Sequence, residues 1–187
     1  MATTTLPLAQ GTWTFDPHHS GVHFKVRHLG LTNVRGRFNR VDATLVVGDN
    51  LASTHFSAEI DISSIDTNQA DRDAHLLGTD FFAADAHPTM TFNSTVVRES
   101  GGDEYEADGD LTINGISKPV TLRVEFGGAI THPGDGKLHA GFIATAQIVR
   151  DDFGIDFNMP LGIDKFALGK KIDIDIDVQF TAPEASS

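Results

Sequence analysis

Nine histidines, twenty-six carboxylates and no cysteine set the chemistry open to this 187-residue chain. Acid–base groups are abundant. Thiolate nucleophiles, disulfides and cysteine-based zinc or iron–sulfur sites are excluded. Spacing narrows the rest. His18, His19, His23 and His28 lie close together, but the i, i+4 spacing of His19 and His23 makes them neighbours only on a helix. Here Val22, Phe24 and Val26 alternate with His23, Lys25 and Arg27, which predicts a strand. On a strand, His23 and His28 point to opposite faces, so this group does not assemble a metal centre. Arg72 and His75 stand three apart in a segment with helical features, where they become neighbours. They are either a polar site, or Arg72 pairs with Asp71, Asp73 or Asp80. Arg150-Asp151-Asp152 reads as a salt-bridged turn at a strand end. Asp173, Asp175 and Asp177 alternate with isoleucines and read as a solvated outer face. There is no Gly-x-Ser-x-Gly elbow, phosphate-cradling loop or dinucleotide fingerprint. The expectation is a protein without enzymatic activity and without a resident cofactor or metal.

The elements that position these groups are strands. Period-two alternation recurs at Val41–Val47, Phe56–Ile62, Met90–Val96, Tyr105–Ile113, Val120–Phe126, Ala140–Ile148 and Ile172–Phe180. One dry and one wet face per strand is the antiparallel pattern. Gly48-Asp49-Asn50, Ser100–Asp103 and Pro133–Gly136 are turn clusters, and Asn114-Gly115 is a hairpin turn. Pro119 should then open its strand. Asn68–Leu77 breaks the period and predicts a short helix capped by Asn68 and ended by Gly78, with Ala70, Ala74 and Leu77 on one face. Asp80 can cap a further turn. Eight or so strands with one helical excursion indicate an all-β antiparallel fold, a closed barrel or failing that a sandwich, with the helical insertion near residues 68–82. A single domain over 11–181 is expected, with residues 1–10 and 182–187 loose.

The net charge of −12 disfavours nucleic acid and anionic membrane surfaces as partners. No apolar run approaches the length of a membrane span, so no stable membrane insertion is expected. Met1–Gln10 carries no Lys or Arg and no long apolar run, which makes the cytoplasm the expected location.

Five motifs in order resemble those of the YceI-like, polyisoprenoid-binding family. They are Trp13–His28; Val34-Arg-Gly-Arg-Phe38; Asp71–Leu76 with Asp80-Phe-Phe82 and Pro88–Phe92; Leu111–Val120; and Arg150-Asp-Asp-Phe-Gly-Ile155. The resemblance implies a lipocalin-like barrel holding an isoprenoid quinone, a polyprenol or a related long-chain lipid in an elongated apolar cavity, for storage, transport or protection. A fatty-acyl or amide lipid, or an enzyme using His and Arg at the barrel mouth, is the alternative. Many relatives are exported, and this chain departs from them in showing no signal segment. A homodimer is compatible with the resemblance.

The inward faces then supply the expected lining: Val22, Phe24, Val26, Phe56, Ala58, Ile60, Phe92, Leu111, Ile113, Leu122, Phe142, Ala144 and Phe153. Small residues on those faces (Ala43, Ala58, Ala107, Gly109, Ala140, Ala144, Ala146) leave room for a lengthwise bore, unless neighbouring Phe and Ile fill it. An eight-strand barrel is near the size at which either outcome occurs. His28, Arg72 and His75 are the candidates for a polar head group, with His28 alternatively a satisfied rim histidine.

Overall fold

The computed structural model describes residues 4–162 and 165–184. Its elements are β1 (Gly11–Phe15), β2 (Gly21–His28), β3 (Thr32–Phe38), β4 (Val41–Val47), β5 (His55–Asp61), β6 (Ile65–Asp66), α1 (Ala70–Leu77), β7 (Thr89–Gly101), β8 (Glu104–Ile113), β9 (Ile116–Thr131), β10 (Leu138–Val149), β11 (Pro160–Gly162), β12 (Lys165–Phe166) and β13 (Leu168–Thr181). Eight strands close an antiparallel barrel in the order β1-β4-β5-β7-β8-β9-β10-β13, with β13 pairing back to β1 through Thr14–Thr181 and Phe15–Phe180. The 14-residue β13 holds two partners in succession on that edge. β1 occupies its end, and β2 pairs along Leu168–Asp177, so β2, β3 and β6 extend the wall beyond the ring. Among the described residues, no helix is long and apolar enough to cross a membrane.

Asn114-Gly115 makes the expected two-residue turn: both residues have positive φ (54° and 73°), and Ile113 pairs with Ile116 across it. Pro119 does not open its strand but lies inside β9, opposite Asp110. Its missing N–H costs little because β10 pairs with β9 only from Arg123 onward, leaving Pro119 with a strand on one side. β3 hides its alternation behind Gly36. A Cβ there would come 2.4 Å from Phe24 Cζ, so the glycine makes room for an aromatic ring on the neighbouring strand. A Gly36→Val variant should displace that ring and lower stability by about 2 kcal/mol in urea denaturation. Unchanged stability would show that the ring has somewhere else to go.

α1 begins two residues later than expected. Asn68 takes a positive φ of 63°, and the Gln69 side chain caps the helix at the Arg72 N–H, while Gly78 ends it as anticipated. The Asp80 segment forms turns, not a second helix. Ala70 and Ala74 are exposed, while Leu77 packs against the core; Leu76 and the still exposed Arg72 and His75 border the barrel interior.

The core has two parts. At one end Leu6, Trp13, Leu45, Phe126, Phe142 and Phe180 pack tightly, with Trp13 and Phe180 each 1% exposed. The chain before β1 belongs to this plug. Leu6 is buried, the Leu51 N–H bonds the Thr4 carbonyl, and Trp13 Nε1 donates to Ala9 O at 2.9 Å. Within the segment expected to be loose, Leu6, five residues before the first strand, thus reaches the core. Ala182 packs there too, while residues 1–3 and 185–187 lie outside the described residues. The second part of the core, toward α1, includes Phe38, Ile62, Phe81, Phe92 and Phe153 and surrounds open space.

Candidate functional site

The barrel interior at the α1 end holds a cavity of about 530 Å³, within the range of small-molecule sites. β2 lines it with Val22, Phe24 and Val26, β5 with Phe56, Ala58 and Ile60, β7 with Phe92, β8 with Leu111 and Ile113, and β9 with Leu122; Phe153 enters from the 3₁₀ turn Arg150–Phe153. β13 adds Ile172, Ile174 and Ile176, which pair with Val26, Phe24 and Val22. These six residues point inward by register but are only half-buried. Packed core would cover them, so their accessibility marks unfilled space. Phe142 and Ala144 do not line this cavity. They border a second one of about 70 Å³ nearer the closed end, and Phe56, Leu122, Ile176 and Val178 touch both spaces. Their parity is inward, but their height along the barrel places them beyond the shared residues.

The polar groups gather at the α1 end. His28, at the end of β2, lines the cavity. Arg72 pairs with none of Asp71, Asp73 or Asp80. Its Nε donates to Thr67 Oγ1 (2.8 Å) and its Nη2 to Thr67 O (2.6 Å). Asp73 is engaged instead by the Thr67 N–H (2.9 Å) and hydroxyl, and Asp80 by His75 Nε2 (2.9 Å). The His75 ring stands edge-on to Phe81 and Phe157, at centroid distances of 5.1 and 5.2 Å.

Arg150 is the residue that sequence reasoning misplaced. The turn it opens is salt-bridged, but not through Arg150. Asp151 is taken by Lys170 Nζ at 2.8 Å, and Arg150, only 5% exposed, lines the cavity. Its Nε donates to Gly169 O (2.9 Å) and its Nη1 to Ile155 O (3.0 Å) and Phe157 O (2.8 Å). No carboxylate pairs with it among the described residues. Burial pulls the guanidinium below its ordinary pKa, against the opposing influence of Asp151 and Asp156. Among the described residues, Arg72 and Arg150 thus have no carboxylate partner and face a mostly apolar space in a strongly acidic protein. Gly154 follows at φ 70°, a left-handed turn that ends the 3₁₀ segment and aims the chain back over the mouth. The only sequence trace of this arrangement was the Arg150–Ile155 motif itself.

Around the mouth, Leu29, Leu31, Met159, Leu161 and Phe166 are exposed. They lie in the β2–β3 turn and the β11–β12 hairpin with its approach, which touch through the Leu29 N–H and Ala167 O at 2.7 Å.

A YceI-like domain matches residues 13–180. A UPF0312 protein of Staphylococcus epidermidis is 37% identical over 171 residues, 90% of this chain and 96% of that protein. A Campylobacter jejuni YCEI protein of solved structure is 31% identical with a TM-score of 0.70, covering 86% of this chain and 91% of that one. A polyisoprenoid binding domain from Saccharophagus degradans shares the fold at 13% identity and a TM-score of 0.64, over 94% and 100% of the two chains. The barrel, its helical insertion and this sequence likeness agree: the chain belongs to the YceI-like family.

Proposed function

We propose that the cavity takes one long-chain apolar lipid with a small polar head, an isoprenoid quinone or polyprenol, and that the protein stores, carries or shields it without changing it chemically. The observation that carries this reading is the unfilled apolar space closed at one end by the Trp13–Phe180 plug and edged at the other by Arg72, His75, His28 and Arg150. The likeness to a polyisoprenoid binding domain supports it. Each buried CH₂ is worth about 0.8 kcal/mol, so a five-carbon unit gains roughly 3–4 kcal/mol before ordering costs. Those costs are several kcal/mol, and a short tail therefore binds weakly. Guanidinium and imidazole N–H groups donate, so the head group they suit is an oxygen acceptor such as a carbonyl or hydroxyl. The exposed apolar side chains around the mouth give a tail a surface to follow as it passes those polar groups.

Organic extraction of untagged protein, followed by mass spectrometry, should return one long-chain lipid per chain. Offered a series of quinones differing only in tail length, the protein should bind more tightly with each isoprene unit until the cavity is filled, then no further. A fatty-acyl or amide lipid recovered in stoichiometric amount would replace the isoprenoid with that class. Protein that takes up none of these lipids overturns the reading.

A further inference from the structure

The closed end of the barrel carries a second polar cluster, on the opposite side of the plug from the lipid cavity. The β9–β10 loop, His132-Pro-Gly-Asp-Gly-Lys-Leu-His139, is pinned by His132 N–H to Lys137 O and Gly136 N–H to His132 O, both 2.8 Å. The turn brings one donor atom each of His132, Asp135 and His139 within 4.8 Å of one another. His139 Nε2 lies 2.9 Å from Asp135 Oδ2, His132 Nδ1 lies 3.7 Å from Asp135 Oδ1, and the two rings are 5.0 Å apart. Asp135 is fixed by the Lys137 N–H at 2.9 Å, and that bond, with His139, holds its carboxyl below the ordinary range.

His139 supplies the independent observation. Its side chain is 8% exposed, and its Nδ1 is buried without a hydrogen-bond partner among the described residues. Asp16 Oδ2 stands 3.9 Å from that Nδ1; the same oxygen is held by His19 Nδ1 at 2.8 Å, and the His18 N–H donates to Asp16 Oδ1. With a neutral ring donating from Nε2 to Asp135, the Nδ1 lone pair faces an anionic oxygen. A cation at Nε2 reverses this: the ring proton moves to Nδ1 and points at Asp16. A carboxylate behind the far nitrogen of an imidazole is the usual support of a metal-binding histidine.

We propose that His132, Asp135 and His139 bind a divalent transition-metal ion of the zinc class, with Asp16 as a positioning residue. Two imidazoles and one carboxylate suit such an ion and not Ca²⁺ or Mg²⁺, which seek oxygen. Three protein donors leave a fourth position open to water. His132 Nδ1 accepts the Gly134 N–H at 3.1 Å, so ligation uses Nε2 or replaces that bond. The site does not depend on the lipid reading.

The test is calorimetric titration of the untagged full-length protein with Zn²⁺ in chelator-free buffer. One tight site per chain is expected, weakened at least about 100-fold in His132→Ala, whose side chain is exposed, and in Asp135→Asn. Asp16→Asn should weaken it by about 10–100-fold. Nitrogen NMR of the His139 ring should report the proton on Nδ1 once Zn²⁺ is added, a shift that a purely structural histidine would not show. Equal Zn²⁺ affinity in wild type and His132→Ala, or a His139 ring indifferent to Zn²⁺, overturns the site.

Discussion

An Ala58→Trp variant will fold and yet purify without lipid. Ala58 lies in β5 between Ala43 on β4 and Phe92 on β7, half-buried because it faces the 530 Å³ cavity. An indole there projects into empty space and gains contacts that the apo wall lacks. The fold should therefore tolerate it, with a melting temperature no lower than wild type. The space it takes is the space the tail needs, so bound lipid after organic extraction should fall to background. Ala144→Trp is the control. Ala144 is 5% exposed beside the space of about 70 Å³, too small for the new ring, and overpacking there costs about 1–3 kcal/mol without blocking the larger cavity. Folded Ala58→Trp protein that retains wild-type lipid content would show that the lipid sits elsewhere.

Alternation made most of the barrel readable, because period two survives wherever one face is dry. It identified which side of β2, β5 and β13 faces inward: the pairs Val22–Ile176, Phe24–Ile174 and Val26–Ile172 share one face, and with Phe56, Ala58 and Ile60 they line the cavity. It could not say whether an inward side chain meets another or meets space, since that depends on the barrel's diameter and stagger. For the same reason Phe142 and Ala144 share the inward parity of the cavity residues but stand at a different height. β3 was illegible as a strand because Gly36 contributes no side chain where the Phe24 ring lies. Leu6 looked like tail because nothing local announces that an isolated leucine reaches the core. Arg150 was misread because its sequence neighbours are acidic, whereas the partner of Asp151 is Lys170 on another strand. The His132–Asp135–His139 cluster was visible only as a turn, since a hairpin must form before His139 is known to point inside while His132 stays out.

Arg150→Met should lower stability by about 3 kcal/mol and loosen the mouth of the cavity. The guanidinium joins three carbonyls, two in the segment that crosses the mouth (Ile155, Phe157) and one on β13 (Gly169). Methionine fills similar volume and removes a buried charge, which by itself favours the variant. Against that, three hydrogen bonds from an ionised donor are lost, each worth about 1.5–3 kcal/mol, and their acceptors are stranded where water reaches them poorly. The losses outweigh the relief, and they fall on one place. Asn158, bonded to the Leu168 N–H and carbonyl at 2.9 and 2.8 Å, still pins the base of the β11–β12 hairpin, so the segment should fray, not detach. Amide exchange should accelerate over residues 155–159 while β7–β9 stay protected, and lipid should dissociate faster with its binding rate nearly unchanged. Arg150→Lys, with one compact ammonium on a flexible stem, should recover only part of this because it cannot present a planar fork to three acceptors at once. Exchange that rises evenly across the barrel would mean that Arg150 supports the fold as a whole, and the assignment of this buried cation to the mouth would fall.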